Sequence, residues 1–135
     1  MHKEQKGFTL VELLIVIIIL AVLTGISIPI YRLINARARE SAAETEMTNI
    51  AKAIEMHQVD LQAYPLDSAY PDILEDNDYM EYVPLSDPWD NAYLYTSDGS
   101  SYSLESYGIN GINGGNDDIL IVSGVLTEDG AYENR

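Results

Sequence analysis

From Phe8 to Ile30 the chain is apolar at nearly every position, FTLVELLIVIIILAVLTGISIPI, and a single carboxylate, Glu12, interrupts the run. As a helix, about 23 residues span roughly 35 Å, enough to cross a hydrocarbon core of about 30 Å. Beyond it the pattern changes without a turn signal. Ala43, Met47, Ile50, Ile54 and Leu61 recur at intervals of four, three, four and seven, the period of a helix with one apolar face. The spacing predicts one long helix to about residue 62, ended before Tyr64-Pro65 because proline pushes its predecessor out of the α region. His57 lies on the same face and reads as a partly buried, hydrogen-bonded ring at the boundary between helix and head, in preference to a ligand or a pH switch.

Residues 65–90 are rich in Pro and Asp with short apolar islands, a connecting loop with one helical turn around Pro71 to Glu75. AYLYTS and SSYSLESY then alternate apolar and polar residues about Asp98-Gly99. That predicts a hairpin with strands Asn91 to Ser97 and Ser101 to Tyr107, and ILIVSG, from Ile119, is a third short strand. A long N-terminal helix, half for the membrane and half amphipathic, packed on a small antiparallel sheet gives an α+β fold.

Charge narrows the picture. The formal net charge is −15, and no Lys or Arg occurs between Ala53 and Asn134. Such a surface repels phosphate backbones, which excludes nucleic acid as a partner. Lys3 and Lys6 precede the apolar run and set the N-terminus toward the cytoplasm, with the head outside. Cysteine is absent, so packing or a metal must hold an external head together. No nucleotide loop, zinc spacing or Ser/His/Asp arrangement is present, and the two histidines are His2 and His57, so the chain reads as a non-enzyme. All ten tyrosines except Tyr31 lie beyond residue 60, where strand and loop packing explains them.

Glu12 is the anomaly. A carboxylate near the bilayer centre costs roughly 2.5 to 3.5 kcal/mol, so it calls for a partner, and in its own chain the reading finds only the basic leader nearby. That leader, MHKEQKG, ends in Gly7 ahead of the apolar segment, so cleavage after Gly7 would leave the membrane helix attached and expose an α-amino group on Phe8. Here the sequence resembles the type IV pilin and pseudopilin superfamily across KGFTLVELLIVIIILAVLTGISIP, with Pro29 where that family carries a helix-interrupting proline. The resemblance implies processing at Gly7 and Phe8 by a prepilin peptidase, N-methylation of Phe8, and assembly into a helical filament in which Glu12 meets the Phe8 amine of a neighbouring copy. Pro29 leaves the Gly25 carbonyl without its helical partner, so the helix is expected to be weakest there and to unwind near residues 21 to 29 in a filament. The implied organisation is a leader over residues 1–7, a membrane and assembly helix over 8–30, its amphipathic continuation over 31–62, and a head over 63–135.

Two head motifs narrow the resemblance. DPWDNAYLY, residues 87 to 95, is similar to a signature of the major pseudopilin of type II secretion systems, with Asp90 and Ala92 departing from its usual Gly and Pro. SYGINGINGGNDDI resembles that family's calcium loop, with Tyr107 and Asn110 replacing the usual Leu and Asp. The resemblance implies a calcium site formed by Tyr107, Asn110, Asp117 and Asp118. Spacing alone favours an Asn/Gly/Asp turn closed by its own side chains.

The implied function is that of a structural subunit of a secretion pseudopilus, anchored once in the inner membrane, with its head in the periplasm and a periplasmic or extracellular filament as its assembled form. Its partners would be other copies, the prepilin peptidase, an inner-membrane assembly platform and minor pseudopilins. The alternative is a type IV pilin of an extracellular fibre for adhesion or motility. A competence pseudopilin handling DNA loses on charge.

Overall fold

The computed structural model describes residues 7–115 and 117–129. The basic leader up to Lys6 and the last six residues lie outside the described residues, as do the side chains of residues 27–29 and 128–129. The chain divides into two compact units, Met1–Arg37 and Ala38–Arg135.

One helix, α1 (Leu10–Leu61), runs through both. In the first unit its described apolar side chains are unburied. Leu13, Ile17, Leu20, Val22 and Ile26 are each about half exposed or more, and none of its most apolar stretch is covered by the chain itself. Such a surface is stable only against lipid or other protein.

In the second unit α1 acquires a buried stripe of Ala43, Met47, Ile50, Ile54 and His57, broadened by Ala51 and Ala53. Leu61, which the periodicity assigns to this stripe, is exposed. The helix ends there, and Gln62 turns out of it with φ of 59°. Three bonds fix the exit: Gln62 N–H to the Gln58 carbonyl at 2.8 Å, His57 Nδ1 to the Ala63 carbonyl at 2.9 Å, and Tyr64 N–H to the Gly99 carbonyl at 2.9 Å. His57 is thus buried and hydrogen-bonded as its place in the stripe predicts. Its ring meets Tyr79 edge-on at 5.7 Å.

The loop after α1 contains α2 (Asp72–Asp76), which inserts Leu74 into the core. Four strands follow, β1 (Leu94–Ser97), β2 (Tyr102–Ser106), β3 (Asp118–Val122) and β4 (Val125–Asp129), antiparallel and in sequential order. β1 is shorter than the alternation predicts because Tyr93 N–H bonds the Leu85 carbonyl and Ala92 bridges Ser86. The fourth strand is not predicted from sequence. The apolar pattern carries Ser123-Gly124 on as the tail of β3, but both residues take positive φ, 45° and 81°, and Val122 pairs with Val125 across them. This is a two-residue turn whose twist matches the flanking strands.

Tyr102 and Leu104 of β2 and Ile119 and Ile121 of β3 face the α1 stripe. Tyr64 and Tyr102 meet edge-on at 4.9 Å, and Tyr70 stacks on Tyr95 at 4.3 Å. Burial pushes the Tyr95 phenol up to about 12, and the same cause raises Tyr70, Tyr93 and Tyr102. Tyrosine hydroxyls also take the place of cations. Tyr93, Tyr79 and Tyr64 donate to Glu46, Asp60 and Glu55 of α1 at 2.8, 3.0 and 3.3 Å.

Candidate functional sites: an N-terminal cap and an aspartate loop

Gly7 and Phe8 precede α1 and are exposed. A Cβ on Gly7 would meet nothing within 4 Å, so no packing in this chain requires glycine there. Thr9 and Glu12 form a closed reciprocal pair. Thr9 N–H and its hydroxyl donate to Glu12 Oε2 at 2.8 and 2.9 Å, and Glu12 N–H donates to Thr9 Oγ1 at 3.2 Å. This is a capping box, in which orphan donors at a helix start are satisfied by the side chains three residues apart. It corrects the view that Glu12 has only the leader as a partner in its own chain. The signature T-x-x-E stands in the sequence and was the signal that could have revealed it. Both donors reach one oxygen of the carboxylate.

Further along, α1 stays helical through Gly25 and Pro29, while the Pro29 ring lies outside the described residues. Gly25 faces open space.

In the head, the segment after β2 makes a 3-10 turn, Gly108–Asn110, and returns to β3 at Asp118. Asn110 clasps Asp117 with both its groups: the backbone N–H donates to Oδ2 at 2.9 Å and the side-chain amide donates to Oδ1. Ile112 N–H donates to Asn110 Oδ1 at 2.6 Å, and Gly111 N–H donates to the Tyr107 carbonyl at 3.1 Å. Asp118 is buried. Its Oδ2 accepts Gly114 N–H at 2.7 Å, whereas its Oδ1 has no partner among the described residues. Glu105, across the sheet, is held above the usual carboxylate range by desolvation and by the Asp118 charge. Gly108 has φ of 57°, and a Cβ there would overlap the Asp117 carbonyl oxygen. The four sequence-predicted loop residues therefore lie in one closed loop. Among the described residues, no group of three or more His, Cys, Asp and Glu converges as a metal site.

The base of this loop is braced by residues whose role sequence reading missed. Buried Asp87 accepts Trp89 N–H and Asn91 N–H on Oδ1, each at 2.9 Å, and the Ser106 hydroxyl on Oδ2 at 2.7 Å. Ser106 Oγ in turn accepts Gly108 N–H at 3.2 Å, and Asn91 Nδ2 donates to the Gly108 carbonyl at 2.7 Å. The DPWDNA segment and the glycine-rich loop are thus one hydrogen-bonded unit.

Comparison with known families separates these two regions in the same way. Residues 2–28 match the prokaryotic N-terminal methylation motif, and residues 33–124 match the family described as type II secretion system (T2SS), protein G. The chain belongs to the type II secretion system protein G family. It is 29% identical over 131 aligned residues to the type II secretion system core protein G of Pseudomonas aeruginosa, covering 86% of this chain and 92% of the relative. The corresponding Escherichia coli K12 protein is 28% identical over 86% of this chain and 90% of the relative. The type IV wide pilus major component PilA4 of Thermus thermophilus is 37% identical over 67 residues, half of each chain. No solved structure gave a significant match. For this protein G family member, the matched stretch ends at Gly124, so β4 lies beyond it, whereas both Asp87 and the aspartate loop fall inside it. As a member of that family it is a structural pseudopilin with a pilin-like fold, carrying the N-terminal methylation motif on an apolar helix.

Proposed function

We propose that this chain is the repeating subunit of a type II secretion pseudopilus, whose growth helps push folded proteins across the outer membrane. The observation that carries the reading is the match to protein G over residues 33–124 in a chain whose most apolar helical stretch is unburied. In this reading a prepilin peptidase cuts between Gly7 and Phe8, Phe8 is N-methylated, and Glu12 meets the Phe8 amine of a neighbouring copy during assembly. The subunit crosses the inner membrane once with its N-terminus in the cytoplasm and its head in the periplasm, served by an assembly platform and minor pseudopilins, and it catalyses no reaction. The core protein G relatives align over most of this chain and the wide-pilus relative over half of it, which favours the pseudopilus over a surface fibre. Deleting the gene in its native cells should abolish secretion without loss of surface pili. Loss of pili with normal secretion would reverse the choice.

Calcium is part of the proposal. Asp118 Oδ1, buried and without a donor among the described residues, is what recommends a cation here, since a buried carboxylate oxygen lacking a partner is costly. Asp117 and Asp118 would supply carboxylates, Tyr107 its carbonyl and Asn110 its side-chain oxygen, a donor set of hard oxygens. When bound, the ion would supply positive charge to an acidic loop. The chain's own part is the Asn110 clasp, which holds Asp117 in place and which ion binding would have to exchange. With free calcium a hundred times above Kd the head should gain roughly 2.7 kcal/mol. Its melting midpoint should fall in EGTA, and Asp118→Asn should remove the response. A midpoint indifferent to EGTA would leave the loop closed by hydrogen bonds alone.

A further inference from the structure

A groove of about 500 Å³ lies between α1 and the β3–β4 hairpin, lined in part by Ala51, Met56, Ile121 and Leu126. Gly124 also lines it, in a turn so close to α1 that a Cβ would sit 2.9 Å from Glu55 Oε1. A second hollow of about 210 Å³ shares Thr48, Lys52 and Leu126, which extends the depression along the helix. Lys52 borders both hollows. It is the single Lys or Arg between Arg39 and Arg135, it is exposed, and it has no ion pair among the described residues. Two carboxylates also border the depression, Glu44 and Glu55, the latter accepting the Tyr64 hydroxyl at 3.3 Å; Lys52 is the cation beside the apolar lining, a pairing that fits an apolar side chain with an adjacent carboxylate.

The surface of this same chain offers such a group. Tyr82 and Leu85 are 67% and 55% exposed, and the neighbouring Glu81 carboxylate is exposed without a partner among the described residues. The segment is fixed from below: Val83 is buried and its N–H donates to Glu75 Oε1 at 2.7 Å, while the Leu85 carbonyl accepts Tyr93 N–H at 2.9 Å. Other exposed apolar positions beside a carboxylate are committed. Asp67, next to Leu66, takes Ser97 N–H, and Asp60, next to Val59, takes the Tyr79 hydroxyl.

We infer that the groove of one copy receives the Glu81–Leu85 segment of a second copy, with Tyr82 in the groove and Glu81 against Lys52. The inference rests on the filament reading above. Groove and segment share no residue, so the contact is heterologous. A heterologous contact that does not close on itself propagates as an open helical assembly, whereas an isologous one stops at a dimer.

The absence of cysteine makes the test clean. The full-length protein carrying Lys52→Cys and Glu81→Cys together, in its native cells and oxidised with copper phenanthroline, should give a ladder of multimers that neither single variant gives. Independently, Lys52→Glu should lower filament yield roughly fivefold or more, and adding Glu81→Lys should restore it. Filaments of the double-cysteine variant that yield no ladder, a ladder that stops at dimers, or full filament yield from Lys52→Glu would each overturn the inference. Absence of filaments from the wild-type chain would instead overturn the filament reading, and this inference with it.

Discussion

The N-terminal segment and the head satisfy their chemistry in opposite ways. Between Phe8 and Ile34 the described apolar side chains find no cover in this chain, and the polar groups at the helix start find one another, Thr9 with Glu12. In the head a core of apolar side chains is covered by the chain itself, and the polar groups reach across long stretches of sequence, Tyr93 to Glu46 and Asp87 to Ser106. One region is locally complete in its hydrogen bonds and incomplete in its packing. The other buries a core of its own and braces it through distant hydrogen bonds. The stability of the first must therefore come from its surroundings, and that of the second from the chain.

Substitution at Glu12 should break this contrast most sharply. Glu12→Ala should eliminate filaments while leaving membrane insertion and the melting of the head unchanged, as read by filament yield and by thermal unfolding. Normal filaments from this variant would show that the carboxylate serves only its own helix. Asp87→Ala should do the reverse, lowering head stability by about 3 kcal/mol in a denaturant titration, because it strands two backbone N–H groups and the Ser106 hydroxyl. A cost below 1 kcal/mol would mean that the brace is redundant.

The tyrosines sharpen the contrast through pH. Their phenols are raised in the folded head, with Tyr95 at about 12, against about 10 when exposed. The neutral ring is the favoured form, so this stability is fully present below about pH 10 and is lost as pH rises through the folded value. With allowance for solvent screening of a half-buried ring, the loss is roughly 1 to 2 kcal/mol. Fluorescence-monitored unfolding between pH 9 and 12 should show it, and Tyr95→Phe should flatten the curve. The smallest effect belongs to Thr9→Ala, which removes a cap worth about 1 kcal/mol and should reduce helicity at the N-terminus in detergent without abolishing filaments.

Much of this was legible in sequence, and the boundary has physical causes. Local regularities were readable: the apolar run, the four-three-four spacing of Ala43, Met47, Ile50 and Ile54, and the alternation about Asp98-Gly99 all act within a few residues of one another. Leu61 misled because periodicity carries no information on where a helix stops, and Gln62 stops it. The fourth strand was hidden because Ser123-Gly124 can continue a strand or turn it, and pairing with β3 decides. Asp87 was visible as part of a motif, but its task depends on Ser106 and Gly108, some twenty residues away. The T-x-x-E box was local and readable. A carboxylate in an apolar run suggests a cation as its partner, whereas the helix start offers Glu12 the N–H and hydroxyl donors of Thr9 instead.

The capping box also bears on supply. Thr9 and Glu12 both stand on the mature side of the Gly7–Phe8 bond, so processing there leaves their bonds to each other untouched. On the proposed reading, a subunit waiting in the bilayer presents a carboxylate already bonded at Oε2, which lowers its need for an immediate partner. If assembly works as proposed, such subunits could be made in advance of demand and held as a reserve, and recruitment would exchange one set of donors for another at Glu12.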